Sequence, residues 1–192
     1  MKRNKFFKAC LAATAVVTAP LAVLGKFNAR KRIDKGIYVK NGKDRFDTPI
    51  SLFEGDNFFT KVSAKDTEND IYVFESTRIK EGGPSLHYHF SQDEIWYVLK
   101  GEFMIRVGEE TYKAKEGDTV FGPRNVPHAF AKIGEGEGKL LMVFQPAGKM
   151  EEFFKKISEG VARNMTEEQQ DKFREEHGLK RAGPPLTYFK KW

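Results

Sequence analysis

Eight short stretches that favour extended backbone, each closed by a turn signal, occupy the middle of this chain and leave little choice of architecture. They lie at residues 71–79, 85–90, 94–99, 103–107, 110–114, 119–121, 127–133 and 140–144. Gly82-Gly83-Pro84, Gly108-Glu109, Gly117-Asp118 and the three glycines between 134 and 138 punctuate them. Gly108-Glu109 between two strand segments predicts a type II′ hairpin, because glycine accepts the positive φ that such a turn requires. Short strands at close spacing, with no helical pattern between them, exclude a βαβ fold and predict an all-β sandwich or barrel.

The pattern changes after Pro146. Met150, Phe153, Phe154, Ile157 and Val161 recur at helical spacing. Thr166-Glu167-Glu168-Gln169 is a capping box that opens a second helix, ending near His177-Gly178. The tail from Gly183 to Leu186 reads as extended. These helices are expected on the outside of the barrel or against a second subunit.

The first 25 residues have a different character. Lys2, Arg3, Lys5 and Lys8 precede an apolar run from Ala9 to Leu24, which Pro20 interrupts. Such a run is short for a spanning helix, which needs roughly 20 apolar residues, and fits an export signal. Arg3-Asn4-Lys5-Phe6-Phe7-Lys8 looks like a twin-arginine signal with Asn in place of the second Arg. The expected organisation is therefore a signal or anchor at 1–25, a linker at 26–46, a barrel at 47–147 and a helical extension at 148–192. Export to the periplasm or medium follows, with membrane contact only if the segment stays attached.

Charge changes meaning once that segment is set aside. The whole chain carries 33 Lys/Arg against 27 Asp/Glu, net +6. Beyond residue 25 the balance is 29 against 27, a surplus of two that gives no basis for nucleic-acid binding. The single cysteine, Cys10, lies in the signal. The remainder can form no disulfide, thiolate metal site or cysteine nucleophile.

The chemistry sits among the strands. His87 and His89 are two apart on one strand, so both side chains leave the same face. Phe90-Ser91-Gln92-Asp93 can turn the chain, and Glu94 then opens a neighbouring antiparallel strand across from the pair. His128 adds a third imidazole from a later strand. Asp93 has the wrong parity to replace Glu94. His177, near a helix end, is expected to face the helix dipole. Three imidazoles and a carboxylate suit one divalent transition metal (Fe, Mn, Ni, Cu or Zn) better than Ca or Mg. Trp96, Phe121 and Phe130 are expected to wall a substrate pocket beside it.

These residues resemble the two motifs of the cupin family. The first is Gly83-Pro84-Ser85-Leu86-His87-Tyr88-His89, then Glu94 and Gly101; the second is Gly117-Asp118-Thr119-Val120-Phe121-Gly122-Pro123, then His128. Asn125 stands where the family has glycine, a place where Asn tolerates left-handed backbone, and Lys132 stands where it usually has Asn. The resemblance covers roughly residues 45–147 and implies a double-stranded β-helix, or jelly-roll barrel, with short C-terminal helices. It looks nearest to single-domain proteins of the quercetin dioxygenase-like kind, and implies a homodimer.

The function so implied is a metal-dependent dioxygenase acting on a small enol, phenol or diketone. Glu94 would alternate between ligand and proton acceptor. A lyase or isomerase (a decarboxylase or sugar isomerase) is the alternative, and a non-catalytic small-molecule-binding barrel is a third. Fold alone does not choose among them.

Overall fold

The computed structural model describes residues 32–52 and 55–186. The predicted signal at 1–25 and the first part of the linker lie outside the described residues.

Among the described residues, eleven strands, one 3-10 helix (Ala64–Thr67) and two α-helices follow in order. The strands are β1 Ile50–Ser51, β2 Asn57–Val62, β3 Tyr72–Arg78, β4 Ser85–His89, β5 Asp93–Lys100 and β6 Glu102–Val107. Then come β7 Glu110–Lys115, β8 Thr119–Gly122, β9 His128–Ile133 and β10 Gly138–Gln145. Helices α1 Met150–Ser158 and α2 Glu167–Glu176 lead to β11 Leu179–Pro185. Two antiparallel sheets result, ordered β1-β2-β3-β10-β5-β8 and β11-β4-β9-β6-β7. This is the expected all-β, two-sheet barrel.

Period-two patterning builds the core. Along β5, Glu94, Trp96 and Val98 are buried, whereas Ile95 and Tyr97 turn outward. Along β10, Leu140, Met142 and Phe144 are buried in the same way. With Phe74, Phe103 and Ile105 they form one apolar cluster. Each such side chain taken out of water contributes about 1.5–3 kcal/mol. The Gly108-Glu109 hairpin forms as expected: Val107 pairs with Glu110, and only the glycine has positive φ (+60°). Asn125 adopts φ +62°, the conformation its chemistry allows.

Helix α1 turns aromatic side chains onto the barrel's core strands, and α2 contacts β11 and Phe153 of α1. Phe154 meets Phe58 edge-on at 4.9 Å and Phe74 at 5.6 Å, and Phe153 contacts Phe173 of α2 at 5.4 Å. Glu151 fixes α1 in place, accepting hydrogen bonds from Ser63 Oγ at 2.7 Å and Ala64 N at 2.8 Å. The capping box of α2 is present, with Thr166 and Gln169 bonded reciprocally. Val161 lies beyond α1 and is exposed. The segment expected only to be extended from Gly183 is a longer strand, β11, paired with β4.

Candidate metal centre

The four predicted ligands come from three strands and two sheets. His87 and His89 stand on β4, His128 on the adjacent β9 in register with His87, and Glu94 on β5 of the opposite sheet. Here the structure corrects the expectation that Glu94 occupies a strand paired with β4. The carboxylate faces the imidazoles across the barrel, because residues 90–92 carry the chain from one sheet to the other.

The side chains converge. One donor atom from each of His87, His89, Glu94 and His128 lies within 4.8 Å of the others, an arrangement that could hold a metal ion. Glu94 Oε2 is 3.2 Å from both His89 Nε2 and His128 Nε2. His87 Nδ1 donates to the Ser85 carbonyl at 2.7 Å, and His128 Nδ1 donates to that of Val126 at 2.9 Å. A carbonyl can only accept, so these bonds place the ring proton on Nδ1 and leave the Nε2 lone pairs free. His128 Nε2 is buried without a hydrogen-bond partner although a carboxylate oxygen stands beside it. Acceptors gathered at a buried point fit a cation. Asn125 N donates to His89 O at 2.8 Å, so the left-handed turn also holds the ligand strand.

Electrostatics keep the cluster ready for metal. Burial, reinforced by His89 and His128, lowers the His87 pKa from an ordinary 6.5 to about 3. Burial pushes Glu94 up, but when His128 and His89 are protonated on Nε2 their hydrogen bonds and positive charge outweigh it and take its pKa from 4.5 to about 2. In both cases the folded value is below the unfolded one, so the unfolded chain binds more protons as pH falls. The stability tied to Glu94 is full above pH 4.5 and declines as pH falls towards 2; that tied to His87 is full above 6.5 and declines towards 3. The metal-stripped protein should therefore melt at a lower temperature at pH 4 than at pH 7. Scanning calorimetry showing an equal or higher Tm at pH 4 would contradict this.

A cavity of about 700 Å³ opens beside the cluster. His87 and Glu94 reach it, and Phe58, Phe130, Phe144 and Phe154 are among its apolar walls. Of the three expected pocket residues, Phe130 lines it. Trp96 is fully buried but sits behind the ligands, its ring 5.2 Å from that of His128. Phe121 is 54% exposed on the outer face of β8 and does not reach the cavity. Asp93 points away and pairs with Arg124 at 2.6 Å, in keeping with its parity. His177 caps α2, its Nδ1 donating to Phe173 O at 2.7 Å. Sequence reasoning missed Phe58, Phe144 and the arginines of the C-terminal extension. The helical spacing of Phe153 and Phe154 was the one available signal for the cavity's second wall.

Comparison with known proteins agrees with this geometry. The Cupin domain family model matches residues 76–144, the stretch that holds all four side chains. An uncharacterized protein of Methanocaldococcus jannaschii is 34% identical over 61 residues, 32% of this chain and 49% of that one. One from Streptomyces coelicolor is 39% identical over 56 residues, 29% of this chain and 52% of that one. The chain thus spans about half the length of the curated relatives it matches. The structure of KdgF from a Halomonas species shares the fold with a TM-score of 0.50 and 18% identity, covering 58% of this chain and 94% of that one. Over residues 76–144, about a third of the chain, the match is to the Cupin domain, and the two-sheet barrel around it is of the fold that KdgF shares.

Proposed function

We propose that this chain is a cupin and a metal-dependent oxidoreductase, a dioxygenase acting on a small enol, phenol or diketone held in the cavity. One observation carries the reading. His87 and Glu94 both face a cavity whose lining includes Phe58, Phe130, Phe144, Phe153, Phe154 and Phe173, so a flat organic molecule packed on these rings stands beside the four-residue cluster.

A divalent transition metal (Fe, Mn, Ni, Cu or Zn) held by His87, His89, Glu94 and His128 would supply Lewis acidity towards a substrate hydroxyl and open positions beside it. The chain's own residues do the rest. Phe130, Phe144 and Phe154 displace water and restrain the ring to one plane. Among the carboxylates of the lining, Glu94 is the one in contact with the imidazoles, and it accepts the hydroxyl proton. Dioxygen is the co-substrate, with both its atoms ending in product.

Oxygen uptake by protein reconstituted separately with each of the five metals tests this, using quercetin and pentane-2,4-dione as substrates. With at least one metal, oxygen should disappear in step with substrate. Glu94→Gln should lower the rate by roughly 10²-fold, the scale of a lost general base. Turnover without oxygen would point to the lyase or isomerase reading. Undiminished turnover by a Glu94→Gln protein that keeps its metal would remove Glu94 from the mechanism.

A further inference from the structure

The cavity is not uniformly apolar. Four arginines line it (Arg78, Arg163, Arg174 and Arg181), against two carboxylates, Asp56 and Glu94. Arg78 engages Asp56, and Glu94 belongs to the imidazole cluster. The other three arginines come from the C-terminal extension. Arg174 and Arg181 share Asp171, at 2.7 and 2.9 Å, and Arg181 also reaches Glu167 at 3.4 Å. Among the described residues no carboxylate pairs with Arg163. Among these C-terminal groups three guanidiniums stand with two carboxylates, a local excess of one positive charge that offsets the carboxylate of Glu94 elsewhere on the lining.

Arg181 occupies a telling position. On β11 it is in register with His87 on β4, and directly opposed residues of an antiparallel pair project to the same face. Both line the cavity. The ion pairs of Arg181 use Nη2 alone, leaving Nη1 and Nε of its donor fork unengaged among the described residues. Such a fork matches the two oxygens of a carboxylate.

We propose that the cavity takes a small organic acid, its apolar body against Phe130, Phe144 and Phe154 and its carboxylate on Arg163 and Arg181. This rests on the reading of the cavity as the substrate site and narrows its substrate class. Arg163 and Arg181 set specificity and orientation.

Calorimetric titration of the metal-stripped full chain tests the proposal without turnover. The probes are benzoate, cinnamate and 2-naphthoate, each against its primary amide, which has the same shape and no charge. At least one acid should bind tenfold or more tightly than its amide. Arg163→Ala, at an exposed position, and Arg181→Gln should each cut that preference at least fivefold, the acid losing more affinity than its amide. The proposal fails if no acid outbinds its amide, or if the preference survives both substitutions. It fails equally if the preference exists only in zinc-loaded protein, because the carboxylate is then on the metal. A preserved acid preference with no oxygen uptake would sink the dioxygenase reading and leave this one standing.

Discussion

His87→Ala protein, purified without added metal, should carry less than about a tenth of the transition metal found in wild type, which should approach one ion per chain. Changing an outer partner of a metal ligand already costs about 10–100-fold in affinity, and removing a ligand costs at least that. His87 is the suitable ligand to remove. It is half-buried at the cavity edge, whereas His89 and His128 are fully buried beside Phe144 and Trp96, so its truncation leaves no void in the core. His177→Ala is the control, since that ring bonds Phe173 O and packs on Phe153 and Phe173. Elemental analysis of the folded fraction from size exclusion reads all three proteins. Wild type without stoichiometric transition metal would overturn the metal assignment. Equal metal in the His87→Ala protein would remove His87 from the ligand set.

The parts legible in the sequence were those set by strict local rules. Period-two parity put His87 and His89 on one face, Asp93 on the other, and Trp96 inside. Backbone chemistry marked the Gly108 hairpin and the left-handed Asn125. Parity does not say which sheet a strand joins, so Glu94 came across the barrel rather than from a paired strand. Phe121 was misplaced because β8 is only four residues long and offers no periodicity to count; Gly122, not Phe121, shares the inward face opposite Glu94. β11 escaped notice because Gly183, Pro184 and Pro185 are poor strand formers. It is an edge strand, where proline is tolerated, and its pairing with β4 imposes the conformation. That tertiary pairing also places Arg181 beside His87, which no local signal could have announced.

Gly83→Ala should be among the most damaging single substitutions in the barrel, lowering stability by about 3 kcal/mol or more, at or above the upper end of ordinary overpacking. A Cβ at this position would lie 1.8 Å from the carbonyl oxygen of Phe130 and 2.8 Å from its carbonyl carbon. Both neighbours are backbone, so no side-chain rotation relieves the overlap. The strands cannot separate freely either, because Gly82 and Lys132 exchange two hydrogen bonds, at 3.0 and 2.8 Å, immediately alongside. The motif glycine therefore has a steric reason: it lets the chain entering β4 cross close over β9 before His87 and His128 come into register. For a chain of this size the loss corresponds to a Tm lower by roughly 6–12 °C. The same displacement should carry β4 away from β9, so Gly83→Ala should also bind metal more weakly although no ligand has changed. Gly136→Ala, in a loop with nothing within 4 Å of the added carbon, isolates the general cost of replacing a glycine at positive φ. If Gly83→Ala melts within about 2 °C of Gly136→Ala and keeps full metal affinity, close packing of β4 on β9 is not what holds the ligands in register.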